Sequence, residues 1–357
     1  MNALLRSWTS PPALLVALAL AGAGCADEKK PPAADADAGA EQGPQKAVLD
    51  GKLAAAVKAA ESTQGPSTRG GDGPPENGVF TAGAADKAQA PGAPAKVAVL
   101  DAGKEPRVRL APAHGDEQRE TVSLTVRLNG GAIPVDYSLG LKLDKPKDEK
   151  KTDGPKSWRV LGKVLGVSLS PQLPRELSDK LGKLKGTELR YTLGPDGGAS
   201  DLAYALAKDA DPGLGEVVVK GLVDAMGVTM PPLPREPVGL GGYWMVTDRA
   251  NSFTDVVRYR VYKVEKLDKD GATLSVDVRQ YATHDEADLG GQKLTIQHFD
   301  STAKGKFDWT PAGLLPAHGE TSQKTQLAGA VGGQQAGLQV ELTAKFAADA
   351  DKADKKK

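Results

Sequence analysis

Histidine is the side chain most often used as a metal ligand or as a general base near neutral pH, and the 357-residue chain has four. Only one of them has carboxylates beside it, in His284-Asp-Glu286, which lies on a predicted loop. A structural zinc site needs three or four ligands, and His114, His298 and His318 offer no fitting spacing. We therefore interpret residues 284–286 as a solvated polar loop and predict no metal site.

The motifs of nucleophilic catalysis and phosphate binding are incomplete. Gly166-Val-Ser-Leu-Ser170 lacks the second glycine of the Gly-x-Ser-x-Gly turn that exposes a catalytic serine. Gly239-Leu-Gly-Gly242 precedes a predicted strand instead of a helix, so it does not fit a phosphate-binding loop. The sequence predicts a protein without catalytic residues and without a cofactor.

The single cysteine, Cys25, stands where an N-terminal export signal ends. Arg6 supplies the positive charge of such a signal, and its apolar core, Ala13–Ala21, is shorter than the ~20 residues that span a bilayer. Small residues then lead directly into Cys25, which resembles a bacterial lipobox with Gly22 where leucine is commonest. We predict cleavage before Cys25 and acylation of its thiol by a lipid such as palmitate. The alternative is a plain secretory signal that is cut near Ala23.

Composition limits the other partners. Lys+Arg and Asp+Glu both number 46, so a net positive charge that would favour nucleic acid is absent. Aromatic residues are 4% of the chain, which disfavours a surface for stacking bases or sugars. We predict contact with a membrane through the N-terminal lipid, no nucleic acid, and a location in the bacterial cell envelope on its periplasmic or cell-surface face. Which membrane holds the anchor stays open.

A tether is predicted between the anchor and the folded body. Residues 26–45 contain no aliphatic side chain larger than alanine, so they cannot form a packed core. Residues 47–61 have one apolar helical face and predict a short helix, with a marginal helix as the alternative. In the Gly- and Pro-rich stretch that follows, Val79 and Phe80 form an apolar tip, which we expect to dock on the body.

The body is predicted to be mainly β, because alternation of apolar and polar residues recurs along it. The clearest case is a hairpin at residues 256–281 with one buried and one solvent-exposed face. His298 alternates with Leu294 and Ile296 in another predicted strand and should face the same side as they do. Further strands are predicted at residues 105–110, 121–128, 133–143, 157–169, 187–193, 238–246, 303–309, 320–327 and 336–346.

Helices are predicted between the strands at residues 174–184, 201–208 and 212–226. The last is the strongest, since Asp211 is a good N-cap, Pro212 fits the first helical position and Gly227 predicts a stop. Its apolar stripe predicts that it covers one face of a sheet. The run Pro231–Pro237 predicts a stiff connector between two halves.

The predicted fold is thus a β-rich α+β body of curved antiparallel sheets in two halves, with a covering amphipathic helix at about 212–226. The similar runs Gly186–Thr192 and Gly305–Thr310 suggest a duplicated unit, with a chance match as the alternative. The predicted domains are a signal peptide (1–24), the lipidated cysteine and largely disordered tether (25–103), a first β-rich half with its helix (104–230), a second β-rich half (231–346) and a charged tail (347–357).

The order of these features resembles the uncharacterised bacterial lipoproteins grouped as the DUF6263 family. The residues that carry the resemblance are Arg190–Gly197, Leu233–Trp244 and Phe307–Gly313, within residues 104–346. The resemblance implies an exported β-rich domain and supplies no catalytic residues.

Two functions stay open from the sequence. The first is a membrane-anchored, non-enzymatic envelope lipoprotein with a structural or protein-interaction role. The second is a carrier of lipid or another apolar ligand in a cavity lined by the sheet. The sequence assigns no ligand-binding residues and identifies neither the envelope partner nor the apolar ligand.

Overall fold

The computed structural model describes residues 75–144, 157–252, 254–289 and 292–348. Over these ranges the protein is mainly β, which confirms the predicted fold class, with one antiparallel sheet of 13 strands and three helices. The predicted signal peptide, Cys25, the tether at 26–45 and the amphipathic segment at 47–61 lie outside the described residues.

Along the described chain, the helices and strands have the following bounds. The helices are α1 (Ala84–Ala88), α2 (Arg175–Gly182) and α3 (Pro212–Thr229). The strands are β1 (Lys96–Asp101), β2 (Glu117–Leu128), β3 (Gly131–Asp144), β4 (Trp158–Leu169), β5 (Glu188–Leu193), β6 (Ala199–Ala205), β7 (Tyr243–Asn251), β8 (Asp255–Asp268), β9 (Gly271–Ala282), β10 (Glu286–Leu289), β11 (Gln292–Trp309), β12 (His318–Val331) and β13 (Gln334–Ala348). Their order in the sheet is β1-β7-β8-β9-β11-β12-β13-β2-β3-β4-β5-β6, and β10 pairs with β11 beside this path.

Two runs of neighbouring antiparallel strands make up most of the sheet. One run is β2 to β6, the other is β7 to β13, and they meet where β13 pairs with β2. The predicted halves at 104–230 and 231–346 therefore correspond to two runs of strands within a single sheet. The sheet also extends upstream of residue 104, because β1 pairs with β7 at one end of it.

The predicted hairpin at 256–281 is present as β8 and β9. In its turn, the Asp270 backbone N–H donates to Asp268 Oδ1 at 3.2 Å. Its predicted solvent-exposed face is covered over the first part of β8, because α1 and Phe80 pack against that face. The β8 residues in this contact are Val257, Tyr259 and Val261.

Helix α3 begins as predicted, with Asp211 Oδ1 accepting a hydrogen bond from the Leu214 backbone N–H at 2.9 Å. It continues through Gly227 to Thr229, so the predicted stop at Gly227 is wrong. The helix passes close to β8 there, since a Cβ atom at Gly227 would lie 3.3 Å from Nη1 of Arg258, a tight contact.

The face of the sheet that α3 covers is called the inner face. Here α3 shares the main apolar core with β2 to β5, β13 and α2. Gly221 lets the helix approach closely, because a Cβ atom there would lie 3.1 Å from Leu342 Cδ2 and 3.4 Å from Val126 Cγ2. The predicted covering of a sheet face by this helix is confirmed.

The predicted helical turn at 201–208 is wrong, because most of this segment belongs to edge strand β6. Asp201 adopts φ 54° at an irregularity in the pairing of β6 with β5. A short helix is marginal by itself, whereas pairing along β5 satisfies the backbone groups of this segment. The two runs that suggested a duplication also differ in position, since Gly186 precedes β5 and Gly305 lies inside β11.

Candidate functional site

The tripeptide 284–286 is exposed; His284 and Asp285 connect β9 to β10, and Glu286 is the first residue of β10. The Thr283 hydroxyl donates to Oδ2 of Asp255 at 3.1 Å, and its oxygen lies 2.8 Å from Nδ1 of His284. Within the described part of the chain, no group of three or more His, Cys, Asp or Glu residues is placed to hold a metal ion.

His298 does not face the same side as Leu294 and Ile296, which corrects the sequence prediction. Those two side chains are buried, whereas His298 is exposed. The pairing of β11 with β12 shifts register between Ile296 and His298. An extra residue in a strand inverts the alternation beyond it, so Phe299 takes the buried position.

The other two histidines lie apart from each other in different surroundings. His318 begins β12 and is exposed. His114 is partly buried, with Nδ1 3.0 Å from the Gly313 carbonyl oxygen, and burial lowers the pKa of its imidazole. The structure therefore does not gather the four histidines into one site.

Among the described residues, four buried polar side chains form a group that we call the arginine cluster: Asp248, Arg258, Arg260 and Tyr262. Asp248 lies on β7 and the other three alternate along β8, so their side chains share one face. Nε and Nη2 of Arg258 donate to the two carboxylate oxygens of Asp248 at 3.0 and 2.7 Å. Nη2 of Arg260 donates to Asp248 Oδ2 at 2.8 Å, so one carboxylate binds two guanidinium groups.

The arginine cluster also binds the C-terminal end of α3. Nη1 of Arg260 donates to the Gly227 carbonyl oxygen at 2.8 Å, and the Tyr262 hydroxyl donates to the Val228 carbonyl oxygen at 2.8 Å. The residues four positions later are Pro231 and Pro232, which have no backbone N–H to donate. Arg260 and Tyr262 thus replace the two missing donors of the last helical turn.

The charge of the arginine cluster suits this position. The C-terminal end of a helix carries a partial negative charge, which a buried guanidinium group offsets. Burial alone would raise the pKa of Asp248, but Arg258 and Arg260 outweigh it and hold that pKa below its ordinary value. Because the charged groups neutralise one another and the helix end, the cluster acts as an anchor between α3 and the β7–β8 hairpin.

Asp224 makes a second polar contact between α3 and that hairpin. The Ser252 hydroxyl donates to Oδ2 of Asp224 at 2.6 Å. Burial raises the pKa of Asp224 to about 6, although Ser252, Lys220 and Arg258 partly oppose the rise. The carboxyl group of Asp224 therefore changes its charge near pH 6.

The arginine cluster was not predicted from the sequence. The predicted hairpin has one buried and one solvent-exposed face, but the prediction assigned Arg258 and Arg260 to neither, and charged side chains are rarely fully buried. A signal was present, since a helix followed at once by Pro231-Pro232 needs outside donors for its last carbonyl groups. The sequence does not show which donors these are, because α3 and β8 are far apart along the chain.

The segment Pro75–Phe80 inserts between β9 and β11, and we call it the N-terminal strap. Val79 and Phe80 are 6% and 3% exposed, which confirms that this apolar tip docks on the body. The ring of Phe80 meets that of Tyr281 edge to face at 5.9 Å.

A surface cleft of about 370 Å³ lies beside the N-terminal strap. It is lined by residues of the strap, of β9 and of β11, including Glu76, Arg279, His298 and Asp300. Its wall carries both signs of charge, which suits a polar or peptide surface better than an acyl chain.

A search of protein-family models and of curated proteins finds no match to this chain. The resemblance to the DUF6263 lipoproteins therefore stays a prediction. None of the helices in the described ranges has the length and apolarity needed to cross a membrane.

Proposed function

We propose that this protein is a lipid-anchored envelope lipoprotein whose β-rich body works through contacts with other proteins and not through catalysis. The N-terminal sequence supports the anchor, because three small residues lead from the apolar run Ala13–Ala21 to Cys25, as in a lipobox. The packing of α3 on the inner face supports the contact role, because this packing fills the place where a carrier would hold its ligand.

That packing is the observation on which the choice between the two functions depends. Carriers built from a curved sheet keep space between the sheet and its covering helix. Here Val218, Leu222 and Met226 of α3 are at most 1% exposed and lie in one apolar core with the sheet. At Gly221 the helix lies so close to Leu342 that no space for a ligand remains between them.

The carrier alternative has a direct test. A Cys25→Ala variant, produced in the native host, would be purified without detergent and weighed by native mass spectrometry. The contact role predicts the bare mass of the polypeptide in repeated preparations. A lipid or another apolar compound that co-purifies in a fixed ratio would establish the carrier function instead.

The anchor is tested by the same substitution. Cys25→Ala removes the thiol that would carry the acyl chains, so the protein is expected to move from the membrane fraction to the soluble fraction. One acyl chain binds a membrane only weakly, and two or more give a stable anchor. If the variant and the wild type partition equally into membranes, the lipoprotein assignment fails.

A further inference from the structure

The sheet contains a gap between β9 and β11. The two strands pair from Ala272 and Trp309 up to Gln280 and Ser301. Beyond that point β9 continues along β8, and β11 continues along β12. From there on, the facing backbone edges of β9 and β11 no longer pair with each other.

The N-terminal strap fills this gap as an extra strand. On the β9 side, Ala282 N donates to Gly78 O and Phe80 N donates to Ala282 O, both at 2.9 Å. On the β11 side, the Phe299 backbone N–H donates to the Asn77 carbonyl oxygen at 2.9 Å. A short peptide that bonds to strand edges on both sides is held as in β-strand addition, where the main chain provides the affinity.

The gap also selects the sequence of its occupant. Gly78 has φ 78°, and a Cβ atom there would lie 1.6 Å from the Phe299 carbonyl oxygen, so a side chain cannot be accommodated. The next two side chains, Val79 and Phe80, enter two apolar clusters on the body. The site therefore fits an extended segment in which glycine precedes two apolar residues.

We propose that the gap between β9 and β11 is a strand-acceptor site for an extended peptide of a partner protein, and that the N-terminal strap is its resident occupant. The partner segment carries glycine followed by two apolar residues and binds when the strap leaves. The strap continues into three exposed residues, Thr81–Gly83, which provide a hinge for its departure. This inference names the contact site of the proposed interaction role and rests on that role. It does not depend on the lipid anchor.

The test uses the full chain with its strap displaced by Gly78→Ala. A fluorescent peptide of residues 75–82 is added, and its binding is measured by anisotropy. The peptide is expected to bind the variant at least tenfold more tightly than the wild type, whose site is occupied. A peptide with alanine in place of Gly78 should lose this binding.

Gly92→Ala is the matched control. Gly92 has a similar positive φ of 71°, but a Cβ atom there would meet nothing within 4 Å. This variant should bind the peptide no better than the wild type. Equal binding of the glycine and alanine peptides to Gly78→Ala, or no binding at all, would overturn the proposal.

Hydrogen exchange on the wild type provides a second measurement in case Gly78→Ala does not fold. The Ala282 and Phe299 amides, which donate to the strap, should exchange at least tenfold faster than amides bonded within the β9–β11 pairing. Equal protection of both sets would show that the strap does not leave the folded body, and the acceptor site would be excluded. Peptide binding and the membrane partition of Cys25→Ala are separate measurements, so either proposal can fail alone.

Discussion

Asp224→Asn should make the protein more stable at neutral pH, because it removes a buried charge that the fold holds unfavourably. Burial raises the pKa of Asp224 from an ordinary 3.8 to about 6. The folded state therefore holds the proton more tightly than the unfolded state does. The stabilisation by protonated Asp224 is complete below pH 3.8 and is lost as the pH rises through about 6.

The magnitude follows from the same two values. Their difference of about 2 pH units, at ~1.4 kcal/mol for each, corresponds to a loss of up to ~3 kcal/mol between pH 4 and pH 7.5. Asparagine keeps an oxygen that accepts the Ser252 hydrogen bond but carries no charge at any pH. The variant should therefore match the wild type near pH 3.5 and exceed its stability by up to ~3 kcal/mol at pH 7.5.

Urea denaturation of both proteins at several pH values measures this difference. The free energy of unfolding of Asp224→Asn, minus that of the wild type, should rise with pH around a midpoint between pH 4 and pH 6. A difference that is constant with pH would refute the reasoning, because the effect would then come from packing. A variant that is less stable than the wild type at pH 7.5 would refute it as well.

Two further predictions concern the anchoring and the packing of α3. Asp248→Asn should destabilise the protein by ~3–5 kcal/mol at neutral pH, since it leaves Arg258 and Arg260 buried without their counter-charge. Because the folded-state pKa of Asp248 is lowered, the stability difference between the wild type and Asp248→Asn should shrink as the pH falls below 4. This trend is opposite to the one expected for Asp224→Asn. The same urea denaturation series measures both. Gly221→Leu should lower the free energy of unfolding by ~1–3 kcal/mol, because the new side chain overfills the core against Leu342. The control, Gly213→Leu, lies on the exposed side of the first helical turn and should change the free energy of unfolding little. Equal thermal unfolding temperatures of the two variants would contradict the packing described for α3.

The hairpins and the main helix could be predicted because their signals are local. In β9, Leu274, Val276 and Val278 alternate with polar residues and are all buried. The N-terminal end of α3 is determined by Asp211 and Pro212, which act within a single turn. Each of these features depends on neighbours that are close along the chain.

The arginine cluster and the order of the sheet could not be predicted, because both depend on distant parts of the chain. A charged side chain such as that of Arg258 normally faces solvent, and its burial is explained only by its contact with Asp248. The orientation of His298 depends on a single register shift between β11 and β12, and the sequence of β11 does not indicate where this shift occurs. The docking of Val79 and Phe80 was predictable because two apolar side chains in a Gly- and Pro-rich stretch need a surface to cover them.

The pairing of β13 with β2 has a consequence for how the chain matures. Synthesis begins at the N-terminus, so residues 117–128 emerge long before residues 334–348, which later form one side of their ladder. Until the last strand has been synthesised, the edge of β2 that later pairs with β13 stays open, and open strand edges promote aggregation. A nonsense mutation shortly before residue 334 would leave two incomplete runs of strands without the ladder that joins them into one sheet. We therefore expect the nascent chain to depend on holding chaperones until translation reaches its end.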